Sequence, residues 1–226
     1  MEEHLILYHG SPSVIEHPFF GGGKPHNDYG PGFYCTEELG LAYEWARPDF
    51  RSGFANKYYL ETDGLNVLNL NEEPFHILNW LAVLLQNRKF FLGGALAAEA
   101  RDYMIGEFLP DYDKYDVVRG WRADDSYFAF AKAFLNGSIS LEQLSHAMKL
   151  GKLGEQVVVR SEKAFASLYY LAAAPAPDIF AAKRKARDEA AREEFRKMAE
   201  GLSAKDGVYI LDILRGKWKN DDARLR

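Results

Sequence analysis

The chain has 226 residues, 47% of them hydrophobic, with 15 Phe, 13 Tyr, 4 Trp and a formal net charge of −5. The length favours one domain with room for an appendage, and the apolar content argues against a disordered chain. The acidic balance argues against a broad basic nucleic-acid surface, and the single cysteine, Cys35, excludes an intrachain disulfide.

In chain order, the apolar run HLILYH (4–9) predicts a strand, stopped by Gly-Ser-Pro. The segment 19–32 carries two prolines and many glycines, so it predicts a long loop, and long loops in compact domains are often functional. FYCTE (33–37) predicts a short strand, and 38–46 a helix with Thr36 as its N-cap. Two strands joined by Thr-Asp-Gly are expected over 56–70, then a strongly apolar helix over 72–88 that starts at Glu-Glu-Pro. A second helix is expected over 94–109, a strand over 115–121 and a helix over 123–137. The stretch 140–151 opens with the Ser-x-x-Gln form of a capping box. EQVVVR (155–160) is the strongest strand signal, followed by an expected helix over 161–172. Ala-Pro-Ala-Pro (174–177) marks a boundary, after which 178–201 predicts a long charged helix. Its narrow packing stripe is Ile179, Phe180, Phe195 and Met198. A closing strand is expected over 207–214. Strands and helices without regular alternation favour α+β over a doubly wound parallel sheet.

Several site types are set aside. No Walker phosphate loop occurs, and the glycines at 21–23, 30 and 32 do not follow the dinucleotide-binding fingerprint. The six histidines show no metal-ligand spacing, so no metal is expected. Cys35, inside an apolar strand, reads as a structural thiol. The opening lacks a charged segment followed by an apolar one. The longest apolar stretch, around 77–87, is short of the about 20 residues that span a bilayer. A cytoplasmic protein without a membrane partner is the expectation.

Two early segments remain, LYHGS (7–11 with Leu7) and YGPGFYCTEELGLAYEWA (29–46), together with LGEQVVVR (153–160). The first two resemble the opening motifs of the ADP-ribosyltransferase superfamily, on its diphtheria-toxin and poly(ADP-ribose) polymerase side. There a strand ends in His-Gly-Ser, and a Gly-x-Gly-hydrophobic-Tyr turn leads into a helix carrying a second aromatic residue. Across most of its length the chain is similar to an uncharacterised bacterial domain family of ADP-ribosyltransferase-like type. NVLNLNEEPFHILNWLAVLLQNR and YDVVRGWRADDSYF also have that family's appearance.

The resemblance implies an ADP-ribosyltransferase-like split antiparallel β-sandwich with inserted helices and a long C-terminal helix. It implies a domain over 1–173, with 174–226 as a helical extension and closing strand packed on it. The substrate implied is NAD, cleaved at its nicotinamide–ribose bond, with ADP-ribose passed to a protein or nucleic-acid acceptor. His9, Gly10 and Ser11 would bind the cofactor with Gly32, Tyr34 and Tyr43. Gly10 lets backbone approach the carboxamide, His9 bonds a ribose hydroxyl, and the tyrosines stack on the pyridinium ring. Arg122 would meet phosphate, and Asp124 or Asp125 a ribose or acceptor group; the simpler reading of the Asp pair is an N-cap and first-turn charge.

A later strand should supply the polar residue that holds the reacting ribose. Successive strand residues face opposite ways, so Glu155 or Gln156 takes that position, not both. The resemblance favours Gln156, with Glu155 the alternative. Glu155 would support transferase or glycohydrolase chemistry, whereas Gln156 would supply no charge and would suit a slow enzyme or a non-catalytic NAD or ADP-ribose reader. Small bacterial proteins of this kind resemble toxins, which implies a cognate antitoxin. A reading from another class is a partner-binding domain organised around the long charged helix.

Overall fold

The computed structural model describes residues 4–47, 51–89, 92–123, 125–147, 154–201 and 207–225. The chain is α+β and forms two compact units. The first comprises Met1–Asn69, Asp111–Arg122 and Gly154–Arg187, and the second Leu70–Pro110, Ala123–Leu153 and Asp188–Arg226.

Among the described residues, all seven strands lie in the first unit: β1 (His4–Ser11), β2 (Phe33–Cys35), β3 (Phe54–Glu61), β4 (Val67–Asn69), β5 (Val117–Trp121), β6 (Glu155–Val159) and β7 (Leu168–Pro175). They form a three-stranded sheet, β1-β3-β7, and a four-stranded sheet, β2-β6-β5-β4. The first sheet is antiparallel throughout. The second is antiparallel at β2–β6 and β5–β6 but parallel at β4–β5, which corrects the expectation of wholly antiparallel sheets. The cause is connectivity, since a parallel pair needs a long crossover and 47 residues lie between Asn69 and Val117.

Among the described residues, one isolated bridge joins the sheets. Tyr8 and Thr36 exchange both backbone hydrogen bonds, at 2.7 and 2.9 Å. Beside it lies the core, where Leu5 and Leu7 of β1 and Tyr58 and Leu60 of β3 pack with Cys35, Val117, Val157 and Val159 of the other sheet. Alternation is visible in this list: every second residue of β1 and β6 enters the core. Cys35 is fully buried and burial pushes its thiol pKa up, as a structural thiol requires.

α1 (Leu39–Ala46) crosses β1 at Gly10. A Cβ there would sit 2.1 Å from the Ala42 carbonyl oxygen, so only glycine lets helix and strand meet. Thr36 does not cap this helix: the N-cap is Glu38, whose N–H donates to Thr36 Oγ1 at 3.2 Å. The helix expected over 161–172 is also corrected. α6 (Glu162–Ala166) is one short turn capped by Ser161, and β7 follows at once. Tyr169 and Tyr170 pair with Tyr59 and Tyr58 on β3, and these cross-strand aromatic contacts outweigh the helix propensity of the alanines that follow. The first half of α7 (Ile179–Gly201) completes this unit; Phe180 packs on Tyr43, and Arg187 pairs with Glu44 of α1.

The second unit is helical: α2 (Ile77–Asn87), α3 (Ala95–Phe108), α4 (Asp125–Leu135), α5 (Leu141–Ala147), the rest of α7 and α8 (Ile210–Gly216). α2 begins later than expected, because Glu72–Phe75 closes a turn and Asn79 Oδ1 accepts from the His76 N–H at 2.9 Å to start the helix. The Ser140–Gln143 capping box forms reciprocally, at 2.6 and 3.2 Å. The strand expected over 207–214 is instead α8. Ile210 and Ile213 are buried at helical spacing, and Asp212 accepts from the Tyr209 N–H at 2.9 Å. The side chains of Phe195 and Met198 lie outside the described residues.

Candidate functional site

The face of β1 and β6 that builds the core continues into polar residues. On β1 the series Leu5, Leu7 runs on to His9, toward the Phe33 end of β2, and on β6 the series Val159, Val157 runs the opposite way to Glu155. On β5 the same face carries Val117 and Arg119. Beyond β2, after Phe33 and Cys35, stands Glu37.

His9 stacks on Phe33, with ring centroids 4.3 Å apart. Its Nδ1 lies 2.7 Å from the Tyr34 carbonyl oxygen. A carbonyl only accepts, so Nδ1 carries the proton and Nε2 is the acceptor of the neutral ring. Burial lowers its pKa from the usual 6.5, and the Tyr34 hydrogen bond opposes that less strongly. Neutral His9 is therefore held by the Tyr34 carbonyl in the tautomer whose Nε2 can accept a hydrogen bond.

Arg119 sits between two carboxylates. Its guanidinium bonds Glu155 at 3.2 Å and also bonds Glu37. Glu155 keeps 39% of its side-chain surface exposed, so the cluster lies at the open end of the inter-sheet face. Register sets its order: Trp121 opposes Glu155 on β5, and Arg119 is two residues away on the same face.

The other face of β6 is closed. Gln156 is 5% exposed and donates from Nε2 to Asp28 Oδ2 at 3.0 Å. Tyr34, on this face of β2, has its hydroxyl committed to the glycine-rich loop: it donates to the Gly30 carbonyl at 2.6 Å and accepts from the Tyr29 N–H at 3.0 Å. Burial pushes that hydroxyl's pKa strongly up. Tyr29 is fully buried, and its hydroxyl donates to the Trp121 carbonyl at 2.6 Å. It lies against Gly120, where a Cβ would come within 2.2 Å of the Tyr29 oxygen. The loop's second half is thus riveted to the four-stranded sheet by Asp28, Tyr29 and Tyr34.

The remaining expected site residues scatter by role. Gly10 receives α1, and a Cβ on Gly32 would meet Val158 Cγ1 at 2.6 Å. Ser11 is buried; its hydroxyl donates to the Ser13 carbonyl and accepts from Asn56 Nδ2 at 3.1 Å. Tyr43 packs on Phe180 with centroids 5.0 Å apart. The Arg122 guanidinium stacks over Trp45 at 4.9 Å. Asp124 lies outside the described residues, and so does the side chain of Asp125, which starts α4. Sequence reasoning missed Glu37 and Asp28. Glu37 was findable as the next alternate residue after Phe33 and Cys35, whereas nothing local marks Asp28. Among the described residues, no group of three or more His, Cys, Asp or Glu is placed to hold a metal ion, and no helix is long and apolar enough to cross a membrane.

Strands and site together define a two-sheet α+β domain whose inner face carries a neutral histidine toward one end and an Arg-bridged pair of glutamates toward the other. The chain belongs to the family described as protein of unknown function DUF3990, whose match covers residues 5–170. No curated protein and no solved structure matches it.

Proposed function

We propose that this chain is an ADP-ribosyltransferase-like protein that takes NAD as substrate at the partly exposed end of the inner face, where Glu155 lies beside Arg119 and Glu37. The observation that carries the reading is that Glu155 faces the same side as Arg119 and Glu37 and is partly exposed there, while Gln156, one residue away, is spent on Asp28. Two sheets joined by an isolated bridge between Tyr8 and Thr36 also suit a split β-sandwich of that type. Glu155, rather than Gln156, is then the polar residue of the reaction.

In this reading His9 Nε2 accepts a ribose hydroxyl proton. The Glu155 carboxylate accepts a hydroxyl of the reacting ribose and stabilises positive charge as it develops at C1′. The C1′–nitrogen bond breaks, its electron pair returns to the pyridinium nitrogen, and neutral nicotinamide leaves. The acceptor's lone pair then bonds C1′, and its proton passes to the carboxylate or to water. Arg119 acts through Glu155, fixing its rotamer by a charge-assisted hydrogen bond. The acceptor is a protein or nucleic acid; water in its place makes the chain an NAD glycohydrolase. A toxin held by a cognate antitoxin in the cytoplasm is the setting that the family resemblance suggests.

A second reading has its own support. Arg119 already occupies the Glu155 carboxylate with an ion pair, which suits a protein that binds NAD or ADP-ribose without turnover. Nicotinamide release by the purified chain separates the two. The enzyme reading expects release that falls about 100-fold or more in Glu155→Gln, by analogy with loss of one group that stabilises transition-state charge, with NAD binding retained. Binding without release in the wild type would favour the reader, and neither binding nor release would discard both.

A further inference from the structure

The two sheets end in different kinds of edge. The four-stranded sheet ends in β2 and β4, of three residues each, and short edges resist pairing with other chains. The three-stranded sheet ends in β1, which Tyr8 bridges to Thr36, and in β7. β7 runs for eight residues, and among the described residues it pairs with β3 alone. The backbone N–H and C=O groups on its other side therefore point outward without a strand partner. Natural edges of that kind are blunted by charge, above all by lysine. LYYLAAAP carries no charge, and Tyr169 and Leu171 are each 50% exposed. Two milder devices are present. Pro175 ends the strand, and a register shift leaves Leu171 as an extra residue between Tyr170 and Ala172, which oppose Tyr58 and Lys57. Neither puts a charge in the way of an incoming strand.

The order of side chains in β7 selects that strand. Its first half is bulky (Leu168, Tyr169, Tyr170, Leu171) and its second half small (Ala172, Ala173, Ala174, Pro175). A two-fold axis between Leu171 and Ala172 lays a second β7 antiparallel, with a bulky residue opposite a small one at every position. Leu168 then meets Pro175 of the second copy, Tyr169 meets Ala174, Tyr170 meets Ala173, and Leu171 meets Ala172. The faces agree as well. Tyr169 and Ala174 oppose Tyr59 and Ala55 on β3, whereas Tyr170 and Ala173 oppose Tyr58 and Asn56, which point the other way. Residues brought together across the axis thus share a face of the sheet, as cross-strand pairs must.

We infer that β7 is a dimerisation edge: two copies of this chain pair antiparallel through β7 about that axis and join their three-stranded sheets into one. The inference is independent of the NAD reading. A two-fold contact uses up both open edges, so the assembly closes at two. Two strands of this length make a small interface, so the dimer is reversible and depends on concentration.

The test is sedimentation of the full chain over a concentration series, for the wild type and Leu171→Lys. The wild type should show a monomer–dimer equilibrium. Leu171→Lys should weaken it about tenfold or more, because two ammonium groups would meet beside the axis. Position 171 is half exposed, so the melting curve should stay in place. Register is read with cysteines, since the native Cys35 is buried. Tyr169→Cys combined with Ala174→Cys in one chain should give a disulfide-linked dimer on oxidation. Tyr169→Cys alone should not, because the two copies of position 169 stand five residues, about 17 Å, apart along the strands. A wild type that stays monomeric at every concentration overturns the inference and leaves the edge to a strand of another protein. A dimer that Leu171→Lys leaves intact, or that crosslinks through Tyr169→Cys alone as readily as through the cysteine pair, overturns β7 as its interface.

Discussion

Glu155 and Gln156 are neighbours in sequence and opposites in circumstance. Gln156 is buried, hydrogen-bonded to Asp28, and part of the clasp that fixes the glycine-rich loop. Glu155 is partly exposed at the open end of the core face, held by the charge of Arg119. A strand period of two residues separates a buried, hydrogen-bonded position from a partly exposed, ion-paired one by a single step. Polarity alone cannot tell them apart, since both are long polar side chains. What distinguishes them is what each strand face covers: valines of the core on one side, the loop on the other.

That contrast can be broken by exchanging the burdens of the two residues. The largest effect should be on turnover, through Glu155→Gln, with the fold left intact. Next is stability through Gln156→Leu. Losing a buried hydrogen bond to a carboxyl group should cost about 1–3 kcal/mol, seen as a melting point lower by roughly 2–12 °C for a chain of this size. Nicotinamide release per folded molecule should change little; a loss as deep as that of Glu155→Gln would merge the two faces into one function. Smaller again is Arg119→Ala. Its ion pair is part-exposed, so stability should shift by less than about 1 kcal/mol. Its signature should instead be kinetic, a lower kcat with little change in KM, partly rescued by Arg119→Lys. An equal loss of stability and activity would reduce Arg119 to a structural role.

The smallest effect belongs to His9. Its pKa is lowered from 6.5 in the folded chain, so as pH falls the unfolded chain takes up the proton first. The stability that neutral His9 preserves is fully present above about pH 6.5 and is lost as pH falls through the folded-state pKa. Urea denaturation across that range should show the decline, and His9→Gln should flatten it. An unchanged slope would mean that His9 does not carry it.

Much of the architecture was legible from local signals. The strand at 155–159, the helix over 95–108 and the Ser140–Gln143 box follow from propensity, Pro110 and capping chemistry. The failures share a cause. Leu168–Pro175 is rich in alanine and looks helical until its tyrosines find those of β3, a contact between segments about 110 residues apart. At 207–214 the β-branched content pointed to a strand. The spacing Val208, Leu211 and Ile210, Ile213, Leu214 with Asp212 at a capping position held the better signal. In the site, His9 and the Glu155–Gln156 alternatives were readable. Their assignment to faces was not, because it depends on Asp28 reaching Gln156 across 128 residues of chain. Tyr34 shows the same limit, since its hydroxyl bonds the loop backbone that precedes it, which the motif alone does not reveal.

The most direct measurement is nicotinamide release from NAD by the wild type, Glu155→Gln and Gln156→Leu, each corrected for its folded fraction. The account predicts measurable wild-type release, a loss of about 100-fold or more in Glu155→Gln and near-wild-type release in Gln156→Leu. Release that survives in Glu155→Gln but disappears in Gln156→Leu would contradict it.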